Sequence, residues 1–181
     1  MMCEFPVCVR SLLLLGMTRR SHIQRPLESS SKKHKLVFMA TAALRSPSEK
    51  VGGLFYLGRM LDKIRLRAKG ELPPDYHANL GKGFDEKCAN FLRINYDQLV
   101  EQVNRGRTDE EILQWCFDHG RRPDENDVYV WNEFMRKRGW NDEVSETLQC
   151  RKKEAGMMDR SDVQTAFQFI DADEGRLPSP G

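Results

Sequence analysis

Residues 46–85 read SPSEKVGGLFYLGRMLDKIRLRAKGELPPDYHANLGKGFD, and the folding of this stretch decides the rest of the chain. Ser46-Pro47-Ser48-Glu49 has the form of a helix capping box, with proline in the first helical position. Val51, Leu54, Leu57, Leu61, Ile64 and Ala68 follow at spacings of three and four, the period of one helix face. Gly70 supplies a stop, and Pro73-Pro74 forbids resumption. The expectation is a helix from Ser46 to Gly70, the longest in the chain. Tyr56, Arg59, Lys63 and Arg67 would share a flank of it, opposite the apolar stripe. Asp62 stands three residues from Arg59 and Arg65, a spacing that allows ion pairs.

Helix punctuation continues outward. A short helix is expected from Asp85 to Leu92, turning Cys88, Phe91 and Leu92 inward. Asn95 and Gln98 form the next box, closed by Gly106, and Thr108 and Glu111 form another, closed by Gly120. Asp124 opens a helix with apolar positions 128, 131, 134 and 135. Arg136, Lys137 and Arg138 sit in its last turn, where cations suit the dipole, and Gly139 ends it. Asn141 or Asp142 caps the next helix, which runs to Gly156. Ser161-x-x-Gln164 opens the last, with Val163, Ala166, Phe167 and Ile170 on one face. No stretch alternates as a strand does. The expected fold is all-α: a single compact domain of six to seven helices with short capped connections, spanning residues 44–174, with 175–181 a disordered tail.

The chain has 181 residues, 39% apolar and 31% charged, a globular balance. Its net charge of +2 conceals an asymmetry: residues 1–45 carry a local +6, and the remainder a local −4. Nothing in the acidic body favours nucleic acid. Residues 1–43 are expected to be a disordered basic extension. Three origins stay open for it: a functional tail, sequence upstream of a true start at Met39, or a leader, since Ala40-Thr41-Ala42 has the small-x-small form of a cleavage site. No apolar run reaches the roughly 18–20 residues of a membrane span. Cysteines stand at 3, 8, 88, 116 and 150 without a Cys-x-x-Cys pair or zinc spacing, so neither metal nor cofactor is expected. Cys88, Cys116 and Cys150 are read as core or half-buried thiols of a reducing, cytoplasmic compartment. Trp115, Trp131 and Trp140 are read as core residues, and His119 as a helix C-terminal residue.

Polar chemistry concentrates in one corner. The loop PPDYHANLGKGFD at residues 73–85 brings a phenol, an imidazole, an amide and an ammonium after the cationic helix flank. Gly81 and Gly83 would let a ligand approach the main chain, although no Walker spacing is present. The leading expectation is a binding module for an anionic small molecule or an acidic partner segment, with Arg59, Lys63, Tyr76, His77, Asn79 and Lys82 around the ligand. The rival is an enzyme on an anionic substrate, with His77 as general acid/base, Asp62 orienting it and Arg59 stabilising charge. A third is a helical protein–protein adaptor. Oligomeric state is not legible.

The string RSP-x-x-K-x-GG-x-x-x-L-x-RM-x-DK-x-R, standing here as Arg45–Arg65, resembles the family called domain of unknown function 5069. Tyr76-His77, Phe91-Leu92, the segment Thr108–Trp115 and Trp131-Asn132 continue the resemblance over residues 44–140 and onward to 174. It implies a small, mainly helical, cytoplasmic bacterial protein, and no activity. The chain departs from the family pattern at 78–85, so the resemblance gives that loop no role.

Overall fold

The computed structural model describes residues 44–177. The N-terminal extension, with the questions of a start at Met39 and of a leader, lies outside the described residues, as do residues 178–181.

The main correction concerns the first helix. Residues 46–56 form a turn and a two-stranded ribbon, β1 (Lys50–Val51) and β2 (Leu54–Phe55), paired antiparallel with Val51 opposite Leu54. The cause is Gly52-Gly53, whose φ angles are 57° and 84°. A left-handed glycine pair is what a two-residue hairpin requires, whereas each glycine inside a helix costs about 1 kcal/mol. The box at Ser46 forms only in part: Ser46 N–H donates to Glu49 Oε1 at 3.2 Å, but Ser46 Oγ accepts from Ser48. Val51 and Leu54 are buried in the ribbon as they would have been in a helix, so their spacing fitted both structures.

Helix α1 runs Leu57–Ala68. A 3-10 turn at Pro74–Asn79 leads to α2 (Phe84–Leu92), α3 (Tyr96–Asn104), α4 (Asp109–His119) and α5 (Glu125–Lys137). Two further helices, α6 (Ser145–Glu154) and α7 (Ala166–Asp173), complete the described chain. The domain is all-α apart from the ribbon. With 13 residues α5 is longer than α1, which has 12.

The caps explain most boundaries. Asn95 Oδ1 accepts from Gln98 N–H at 3.1 Å, and reciprocal boxes close at Thr108/Glu111 and Asp124/Asp127. Two starts differ from expectation. Asp142 Oδ1 accepts from Gly139 and Val144, so it shapes the turn ahead of α6 and does not cap it. The last helix opens with the box Thr165/Gln168, not with Ser161/Gln164. Lys152 holds the intervening turn by donating to the carbonyls of Arg160 at 2.7 Å and Val163 at 2.9 Å.

One core joins Leu57, Met60, Leu61 and Ile64 of α1 to Cys88, Leu92, Leu99, Val103, Ile112, Cys116 and Met135. Asn132 of α5 fastens the ribbon to it. Its side chain accepts from Phe55 N–H at 2.9 Å and donates to Gly53 O at 2.8 Å, while Trp131 Nε1 donates to Phe55 O at 3.2 Å. These bonds satisfy ribbon backbone groups that would otherwise lose their water. Trp115 and Trp131 are core residues; Trp140 is not, being 53% exposed. It follows Gly139, beside which Leu148 and Ala166 already fill the space. Cys150 is also exposed, on a helix whose buried residues are Leu148 and Lys152. No helix among the described residues is long and apolar enough to cross a membrane.

Candidate functional site

Tyr56, Arg59 and Lys63 on the polar flank of α1 face inward, while Arg67 stays exposed. Because the helix begins at Leu57, its flank is covered by the ribbon, the 3-10 turn and α7. Arg59 and Lys63 are 3% and 4% exposed, so the solvated row of cations expected from the sequence does not exist in that form. A buried cation needs a partner, and each has one.

Lys63 Nζ donates to Asp85 Oδ1 at 2.5 Å and to Tyr56 OH at 3.0 Å. Tyr56 OH donates to the same Asp85 oxygen at 3.0 Å, and Gly81 N–H to Asp85 Oδ2 at 3.1 Å. Asp85 is fully buried. Gly81 sits at φ 70° against the Tyr96 ring, and an added Cβ would lie 2.8 Å from that ring. The glycine loop and the cationic helix therefore do converge on an anion, but it is the chain's own carboxylate. Burial pushes the Lys63 ammonium below its ordinary pKa, although Asp85 opposes the shift. Burial, reinforced by Asp85, pushes the Tyr56 phenol well up. Tyr56 holds a left-handed backbone, φ 72°, a conformation costing about 1–2 kcal/mol for a non-glycine residue. Its ring packs on Phe84 and Phe167 at centroid distances of 5.3 and 6.2 Å, which helps hold it there.

Arg59 forms a two-pronged pair with Glu174: Nη1 lies 3.0 Å from Oε2, and Nη2 meets Oε1. Nη1 also donates to Arg45 O at 2.8 Å. Tyr76 OH donates to Glu174 Oε1 at 2.6 Å, and Arg176 reaches the same carboxylate. Burial alone would raise the Glu174 carboxyl; hydrogen bonds from Arg59, Tyr76 and Arg176 outweigh it and hold the group below its usual range. Arg176, assigned to the tail by sequence, thus belongs to the fold. It also pairs with Asp171 at 2.7 Å and donates to Leu44 O at 3.1 Å.

The remaining expected site residues scatter. Asp62 takes a double contact from Arg45, Nε at 2.8 Å and Nη2 at 2.7 Å. Arg45 continues to Asp109, which Arg65 meets at 2.7 Å. His77 Nε2 lies 2.9 Å from Leu72 O, and Arg67 Nη1 lies 3.1 Å from both ring nitrogens. The consistent tautomer has Nε2–H donating to Leu72 O and Nδ1 accepting from Arg67, which occupies the lone pair a base would use. No hydrogen bond joins Asp62 to His77 among the described residues. Asn79 and Lys82 are exposed at the outer edge. Arg59 and Tyr76 are together; Lys63, His77, Asn79 and Lys82 are not with them.

Sequence reasoning passed over Glu174 and read Asp85 as the start of a helix. The available signal was the cost of burying Lys63 and Arg59, which demands a carboxylate for each.

A different surface lacks internal partners. Between α2 and α5 an open groove is lined by Lys87, Asn90, Phe91, Val130, Trp131 and Phe134. Phe91 stacks on Trp131 at 4.5 Å, which makes the floor. Phe134 and Val130 are 42% and 55% exposed, and Tyr129 beside them is 66% exposed. Cations stand over the rings: Arg121 is 4.6 Å from the Phe91 centroid, and Arg138 and Lys87 are 5.0 and 5.8 Å from that of Phe134. Arg121 pairs with Asp127, and Arg138 with Asp142 and Glu143, but the buried Nε of each guanidinium has no hydrogen-bond partner.

Among the described residues no cluster of His, Cys, Asp or Glu could hold a metal ion. Fold and geometry together define a small helical domain with buried, internally paired polar clusters and an open apolar groove between α2 and α5. The chain belongs to the family described as Domain of unknown function (DUF5069), whose model matches residues 41–176. That span takes in every described helix, including α7 and its Glu174. No curated protein matches the chain.

Proposed function

We propose that this domain is a non-catalytic interaction module whose α2–α5 groove receives an acidic, amphipathic helical segment of another protein. The observation that carries the proposal is the open groove itself: Val130 and Phe134 project beside an aromatic floor, on a helix whose opposite side seats Asn132 and Met135 in the fold. Exposed apolar surface with a polar border is the ordinary mark of a binding face. The charge of the occupant follows from the lining, whose one charged member is Lys87; Arg121 and Arg138 behind the rings are already paired with Asp127, Asp142 and Glu143. An aliphatic or aromatic anchor would enter between Phe91 and Phe134, with a carboxylate toward Lys87. A cytoplasmic setting is part of the proposal, supported by the free thiols of Cys88, Cys116 and Cys150.

The test is titration of the full chain with a synthetic helical peptide carrying leucine or tryptophan anchors and glutamates, followed by Trp131 fluorescence. Binding should weaken with salt and fall at least about tenfold in Phe134→Ser. Lys87→Glu should favour a lysine version of the peptide. Equal affinity of wild type and both variants, or no binding at all, overturns the proposal. So does self-association through this face, seen as a dimer that Phe134→Ser converts to monomer.

A further inference from the structure

We infer that Arg59 and Tyr76 form a carboxylate-binding site which the chain fills with its own Glu174, and which accepts a carboxylate from outside when the end of α7 lifts. The inference is independent of the groove. It rests on how the donors are held. Arg59 is placed by α1, anchored to Arg45 O, and its guanidinium lies 5.8 Å from the Tyr76 ring centroid. Tyr76 is placed by the 3-10 turn. Neither depends on α7 for its position, so the fork and the phenol keep their aim when Glu174 departs. Such a pair, two guanidinium N–H groups and one O–H on a single carboxylate, is the arrangement by which proteins recognise carboxylates as ligands.

The filling group is held differently. Ala166 and Phe167 seat the start of α7, and the last buried apolar residue is Ala172. Beyond it the chain is fixed by polar contacts: Glu174 to Arg59 and Tyr76, Arg176 to Asp171, Glu174 and Leu44 O, and Ser46 Oγ to Asp171 Oδ2 at 2.8 Å. Among the described residues no buried apolar side chain follows Ala172, so this end opens more readily than the core. The ligand class is a carboxylate, supplied by a small organic acid or by a glutamate side chain of another protein.

The experiment uses the full chain with Glu174→Ala. Its melting temperature is measured in sodium acetate and in sodium chloride at equal ionic strength, with a parallel arm in a capped glutamate tetrapeptide. Acetate should raise the melting temperature of the variant by about 3–6 °C at roughly ten times its dissociation constant, and barely move wild type. A larger response to the tetrapeptide would assign the site to a protein side chain, and a larger response to acetate to a small acid. No carboxylate-specific gain in the variant, or an equal gain in wild type, overturns the inference. Should the variant fail to fold, hydrogen exchange of wild type decides: acetate should speed exchange at residues 171–177 and leave α1 unchanged. Unaltered exchange at 171–177 would also overturn it.

Discussion

The flank of α1 and the outer face of α5 are opposites. On α1 the polar groups are dense, buried and matched: Lys63 with Asp85 and Tyr56, Arg59 with Glu174 and Tyr76. On the outer face of α5 the side chains Tyr129, Val130 and Phe134 are apolar and partly or largely exposed, with cations over the Phe134 ring. The contrast teaches that density of charged residues in a sequence does not by itself locate a binding face. Charges that fold inward find one another, because a buried unpaired ion is too costly. Apolar groups left outside have no such resolution within the chain.

The largest expected effect lies on the α1 side. Asp85→Ala strands Lys63, the Tyr56 hydroxyl and the Gly81 N–H in an apolar setting. Loss of one partner from a buried pair costs about 3–5 kcal/mol, measurable by urea unfolding. A loss below about 1 kcal/mol would show that water reaches the cluster and that the flank is not closed.

Glu174→Gln comes next, at about 2–3 kcal/mol near neutral pH. Glu174 is held below the ordinary carboxyl value of 4.5 in the folded state. Its contribution is therefore complete above that value and disappears as pH falls through the lower folded value. Asp109 is shifted in the same direction, burial opposing and the hydrogen bonds of Arg45 and Arg65 prevailing. Wild type should lose stability on acidification below about pH 4.5, and Glu174→Gln should show a flatter acid limb. Identical limbs would detach Glu174 from the fold's acid sensitivity.

Gly81→Ala should cost about 1–3 kcal/mol, from φ 70° and the Tyr96 ring together. A neutral result would mean the loop can move off Asp85. Phe134→Ser should have the smallest effect on stability, within about 0.5 kcal/mol, since the ring is exposed. Its effect should appear in peptide binding alone, and a large loss of stability would make Phe134 a core residue.

Much of the fold was legible because its signals are local. Asn95, Thr108 and Asp124 cap the helices they were expected to cap, and the stops at Gly106, Gly120 and Gly139 fall where helices end. The first helix was misread for an equally local reason. Ser46-Pro47-Ser48-Glu49 is a strong start signal, and it masked Gly52-Gly53 between Val51 and Leu54-Phe55, which is a hairpin signal. The site was less legible because its deciding contacts are distant in sequence. Arg59 meets Glu174 and Lys63 meets Asp85 across stretches that no periodicity describes. Tyr76 and Arg59 meet on one carboxylate, and nothing local says that this carboxylate is the chain's own Glu174. The groove was hidden in the same way. Phe134 sits at an apolar helical position, and only the packing of α2 beside α5 decides that it faces out.

Amide and indole chemical shifts, recorded while the full chain is titrated with the acidic amphipathic peptide, test the contrast most directly. The account predicts perturbations confined to Lys87, Phe91, Val130, Trp131 and Phe134, with Lys63 and Asp85 unmoved. Perturbations centred on Arg67, His77 and Lys82, with the α5 face silent, would contradict it.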